Sequence, residues 1–95
     1  RTHEKAVDAA VPFLKDFDEN VRYAAIEVIA AQNAGHTAQL LEPVLINPGE
    51  DANRVKVRIA ELFQQRGLTL SDPDAAAAAL PATHVVTPEG RIRAA

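Results

Sequence analysis

One stretch of this chain is a gapless echo of another. Asn20-Val-Arg-Tyr-Ala-Ala-Ile-Glu-Val-Ile29 overlays Arg54-Val-Lys-Val-Arg-Ile-Ala-Glu-Leu-Phe63 at an offset of 34 residues. Val21 falls on Val55, Arg22 on Lys56, Ala25 on Ile59, Glu27 on Glu61, Val28 on Leu62 and Ile29 on Phe63. A period of this length in an alanine- and leucine-rich chain points to stacked helical hairpins, an architecture that usually serves protein binding.

The composition is compatible with such a stack. The chain has 95 residues and 47% apolar content, enough for one small domain with a core. Phe13, Phe17, Phe63 and Tyr23 are its only aromatic residues. The core must therefore be aliphatic, as in helix-on-helix packing. A net charge of −3 gives no basic field to gather phosphates, which disfavours nucleic-acid binding. The absence of cysteine excludes a disulfide framework, thiolate catalysis and cysteine-based zinc sites, and it fits a reducing, cytoplasmic setting. No apolar run approaches the roughly 18 residues of a membrane span. With no methionine, the chain reads as a piece of a longer protein.

The spacing predicts a first helix from Thr2 or His3 to Lys15, capped by Thr2, with Ala6, Ala9, Ala10, Phe13 and Leu14 on its apolar stripe and a bend at Pro12. A second helix follows an Asp18 cap and runs to about Gln32, ending at Asn33-Ala-Gly35. Its Val21, Ala24, Ala25, Val28 and Ile29 gather on one side, while Tyr23, Ile26 and Ala30 lie opposite. A helix this apolar on both sides either sits inside an array or presents a contact surface. A third helix starts at Thr37, buries Leu40, Leu41, Val44 and Leu45, and is interrupted by Pro43. After the turn cluster Asn47-Pro-Gly-Glu-Asp51, a fourth runs from about Ala52 to Arg66, capped by Asp51 and closed by Gly67, with a stripe of Val55, Ile59, Leu62 and Phe63. The prolines are 31 residues apart, so the 34-residue offset implies three inserted residues in the Asn47–Asn53 turn. Beyond Gly67, Ser71–Leu80 reads as a short capped helix stopped by Pro81. His84–Arg93 reads as two short strands around a Pro-Glu-Gly turn, a tail that either docks or stays mobile.

Residues 3–67 resemble the HEAT-repeat family. Ala6–Asp16, with its proline, is similar to that family's first helix, and Asp18-Glu-Asn-Val-Arg22 with Ala24-Ala25 and Val28-Ile29 to its turn and second helix. Leu40-Leu-Glu-Pro43 and Val55–Phe63 form the second copy, with a longer turn. The resemblance implies an all-α fold, an α–α superhelix of antiparallel hairpins, here followed by a short helix and a small β-hairpin. It also implies ties between neighbouring repeats through Asp16 or Asp18 with Arg22, and through Asp51 with Lys56. The expected units are residues 1–35, 36–67 and a capping segment 68–95. Two repeats are fewer than a solenoid normally needs, so one end is expected to be incomplete: upstream repeats are missing, chains associate, or the tail caps it.

Candidate chemistry is sparse. Some HEAT-like enzymes hold iron with His-Glu pairs, but His3-Glu4 is a single pair, and one imidazole with one carboxylate cannot saturate a metal. The equivalent Glu27 and Glu61 read more simply as a solvated ridge than as acid–base partners. Arg22, Arg54, Lys56 and Arg58 form a basic cluster largely neutralised by Asp16, Asp18, Glu19, Glu50 and Asp51. No phosphate-binding glycine loop, serine elbow or zinc spacing is present. The leading expectation is a non-enzymatic protein-interaction scaffold without a cofactor. It would bind an unidentified protein through its second-helix face, with Tyr23, Ile26, Glu27, Val57 and Glu61 at the contact. The alternative is a HEAT-like enzyme or lyase subunit, metal-dependent in one version.

Overall fold

Proline chemistry shapes the first hairpin. In the computed structural model, which describes residues 2–32 and 35–95 with side chains from Lys5 onward, helix α1 spans Thr2–Ala10 and gives way to a 3-10 segment at Val11–Lys15. The expected single helix to Lys15 is thus two pieces. Pro12 has no N–H to offer the preceding turn, so the backbone tightens instead of bending as one α-helix. Asp16 then turns extended, with its N–H on the Phe13 carbonyl at 3.1 Å. The Thr2 cap and the Asn33-Ala34 stop lie outside the described side chains and residues.

Helix α2 spans Glu19–Gln32. As expected, Asp18 caps it: its Oδ1 accepts the Asn20 amide at 2.8 Å, and its carbonyl accepts those of Val21 and Arg22. Helix α3, Thr37–Ile46, runs through Pro43 without a break. The proline costs one backbone bond, but Leu41, Val44 and Leu45 on either side are buried and hold the helix in register. Helix α4 spans Asn53–Arg66 and ends at Gly67, whose φ of 61° is left-handed. Leu68 N–H reaches the Phe63 carbonyl at 3.0 Å and Gly67 N–H that of Gln64 at 3.4 Å, a Schellman closure. The expected Asp51 cap is absent at the other end. Glu50 takes that place, its Oε2 accepting the Ala52 amide at 3.1 Å.

The molecule is mostly helical, and its core is aliphatic. Ile26, Ile29, Leu41, Leu45, Val55, Ile59, Leu62 and Phe63 are the largest fully buried side chains. Helix α2 lies against α1, the 3-10 segment and α4, while α3 lies against α4. The apolar arc of α2 is rotated from the expected one. Ala25, Ile26, Ile29 and Ala30 are buried, Val21 is half-buried, and Ala24 and Val28 face outward. The cause is that α2 is covered on two flanks, by α1 and by α4, so burial centres between them.

The segment after Leu68 docks. Helix α5, Pro73–Ala79, is capped by Asp72 and touches α3; strands β1 (His84–Val86) and β2 (Ile92–Ala94) pair antiparallel, with β2 against α4. Leu70, Ala76 and Ile92 enter the core. Leu70 N–H also donates to the Gly90 carbonyl at 2.7 Å, in a turn where Gly90 adopts φ 78°. The anchor is Glu42, 4% exposed on α3. Its carboxylate accepts the amides of Ser71 and Asp72 and the Ser71 hydroxyl at 2.8–3.1 Å.

Glu42→Ala leaves those two amides without their acceptor. It is expected to lower stability by about 2–4 kcal/mol in urea unfolding, with hydrogen exchange rising first at Leu70–Ala76.

Candidate protein-interaction surface

The α2–α4 seam holds most of the side chains singled out from the sequence, and it is largely engaged within the chain. Arg54 lies 4.5 Å over the Tyr23 ring and also bonds Glu19 at 2.6 Å and the Asn20 side chain. Arg58 holds the Glu27 carboxylate through two nitrogens and sits 3.7 Å from Glu61. Val57 is half-buried. Ile26 is fully buried, so it has no surface to give a partner and drops out of the expected contact strip. Tyr23, Glu27 and Glu61 remain at the surface but are tied to arginines of α4. The echo Glu27/Glu61 thus becomes one arginine shared by two carboxylates.

The turns are joined more tightly. Arg22 Nε and Nη2 grip Glu50 Oε1 and Oε2 at 2.8 and 2.9 Å, and Nη1 donates to the Asp16 and Phe17 carbonyls at 2.9 and 3.0 Å. The side chains are only 13% and 2% exposed. The expected tie is therefore corrected: Arg22 takes the next hairpin's Glu50, not the Asp16 or Asp18 carboxylate, which cap their own turn. Asp51 and Lys56 form no ion pair among the described residues. The hydrogen bond that Arg22 donates to Glu50 raises its pKa above the ordinary arginine value, and the bond from Arg58 to Glu27 does the same for Arg58. Raised arginine values stabilise the fold at every pH below the unfolded value and lose effect only as pH rises through the folded one. Neither shift makes folding pH-dependent near neutrality.

A different surface is left open. Ala6, Ala9, Ala10 and Phe13 on the first helical segment, with Val21, Ala24, Ala25 and Val28 on α2, line an apolar groove of about 360 Å³. Among the described residues the exposed large apolar side chains are Phe13 (50%), Phe17 (100%) and Val28 (37%), all in this hairpin. The sequence marks most of these positions as apolar. It does not say that they go uncovered, because periodicity reports a face and not its neighbour. Among the described residues, no helix is long and apolar enough to cross a membrane. Nor does any group of three or more His, Cys, Asp or Glu residues come together where it could hold a metal ion. The side chains of His3 and Glu4 lie outside the described set.

Comparison with protein-family models, with curated proteins and with solved structures finds no match for this chain.

Glu50→Ala strands the Arg22 guanidinium in a largely buried site. The expected loss is about 3–5 kcal/mol in denaturant unfolding, whereas Glu19→Ala at the exposed Arg54 pair should cost under about 1 kcal/mol.

Proposed function

We propose that this chain is a HEAT-like segment of an α–α superhelix and serves as a non-enzymatic scaffold that binds another protein. The carrying observation is the apolar α1–α2 groove, open on one face of a fold whose opposite end is covered by α5 and the β-hairpin. A contiguous exposed apolar surface is costly in water and marks an interaction site more often than a lone exposed residue does. The 34-residue echo supports the superhelical part of the reading, and so does the contact of α2 with α4 across the two copies.

The binding surface belongs to the second-helix face, but on its Val21, Ala24 and Val28 edge. The Tyr23 edge is already spent on Arg54 and Arg58. Among the described residues, the groove lining carries no charged side chain. Its occupant is therefore recognised by shape and apolar burial, at roughly 25 cal/mol per Å² removed from water.

Ala24→Glu places a charge on this edge at an exposed helical position, so stability should change by no more than about 0.5 kcal/mol. A photo-crosslinking residue at Val28 in the source cell is expected to capture a protein. Ala24→Glu should lower that capture at least about tenfold, because the glutamate would have to be buried. Tyr23→Ala should leave it unchanged. Capture that survives Ala24→Glu and falls with Tyr23→Ala would return the site to the seam.

A further inference from the structure

A buried carboxylate in the second hairpin has no counter-charge. Glu42 is 4% exposed, yet none of the ion pairs among the described residues includes it. Its partners are neutral donors: the Ser71 and Asp72 amides and the Ser71 hydroxyl. Burial of an ionised carboxylate is costly, and neutral dipoles offset that cost only in part. Asp72, next on the same loop, also forms no ion pair among the described residues, so it brings more negative charge and no cation. Glu50 shows the contrast. At the same 4% exposure it meets a guanidinium through two bonds.

Glu42 also lines an open cleft of about 400 Å³ between the start of α3 and the segment that leaves α4. That volume lies in the range of small-ligand sites. Ala38, Leu68 and Leu70 give the cleft apolar walls, while Gln39, Thr69 and Ser71 add neutral polar groups. Among the described residues its titratable side chains are Glu42 and His36. The Ser71 amide lies 2.9 Å from Glu42 Oε1 and 3.1 Å from Oε2, the Ser71 hydroxyl 2.9 Å from Oε1, and the Asp72 amide 2.8 Å from Oε2. A carboxylate offers about four acceptor positions, so these three donor groups leave roughly one for a ligand.

We propose that this cleft binds a primary ammonium group carried on an aliphatic stem, with Glu42 as its counter-charge. The ammonium is a compact charge with three donors. One goes to the remaining acceptor position of Glu42, and the others go to oxygens of Gln39, Thr69 or Ser71. A guanidinium fits less well, because its planar fork needs both carboxylate oxygens free. Leu68 and Leu70 cover the methylenes of the stem. A free alkylamine and the lysine side chain of another protein share this chemistry. The site is independent of the α1–α2 groove, which lies in the first hairpin.

The test titrates the full chain with n-butylamine, which is the lysine side chain without its backbone, and follows amide chemical shifts. At about pH 8 the amine is cationic and an ordinary imidazole neutral. Ionic strength is held with sodium chloride, and n-butanol controls for the stem. The expected result is saturable shifts at Gln39, Thr69 and Ser71, with n-butanol at least about tenfold weaker. Glu42→Gln, which keeps one acceptor oxygen for the loop, should weaken binding at least about tenfold. Ala38→Leu narrows the cleft and leaves the carboxylate in place; it should weaken binding as much, and it decides the matter if Glu42→Gln frees the Ser71-Asp72 loop. A lysine blocked at both backbone ends is titrated in parallel. Its entry assigns the site to a partner's lysine and its exclusion to free amines, and either upholds the site. Absence of saturable shifts, an equal response to n-butanol, or binding unchanged by Ala38→Leu overturns the proposal. So does unchanged binding in Glu42→Gln with the loop still docked.

Discussion

The bidentate pair between Arg22 and Glu50 fixes how the two hairpins meet. One guanidinium holds the carboxylate of the α3–α4 turn while donating to two carbonyls of the turn before α2. The same carboxylate accepts the Ala52 amide at the start of α4. Sliding either hairpin by one helical turn would break both Arg22–Glu50 bonds and leave a charge largely buried. Such a pair adds little over a well-packed apolar substitute, but its disruption is expensive, so it acts chiefly on register. The aliphatic core beneath it, from Ile26 and Ile29 to Ile59 and Phe63, then closes without directional bonds.

From that register follows an asymmetry between the ends. The α3–α4 hairpin is covered on one side by α2 and elsewhere by α5 and β2, with Glu42 pinning the Ser71-Asp72 loop. The α1–α2 hairpin has α4 on one flank and an open apolar groove on the other. Equivalent residues therefore have opposite exposures: Leu62 is at 1% and Val28 at 37%. The difference arises from neighbours and not from residue type.

Much of this architecture was legible in the sequence because it is local or periodic. The Asp18 cap, the Gly67 stop, the stripe from Val55 to Phe63 and the Pro-Glu-Gly hairpin all depend on residues close along the chain. What escaped depends on long-range contacts. Glu50 displaced Asp51 at the start of α4 because it also meets Arg22, 28 residues away in sequence. Burial of Ile26 follows from α4 lying across α2, and Tyr23 and Glu27 are drawn into the seam by Arg54 and Arg58. Helical periodicity correctly gave α2 two apolar sides. Which side was left exposed could be read only once α4 had been placed.

The claim that these two equivalent apolar faces differ only in being covered has a direct measurement. The rates at which V28C and L62C thiols react with a small labelling reagent should be compared in dilute, folded single-cysteine variants of the chain. The V28C thiol should react within about tenfold of an unstructured thiol, and the L62C thiol only through global or local unfolding, slower by about a thousandfold or more. Similar strong protection at both positions would contradict the account, because the α1–α2 face would then already be closed.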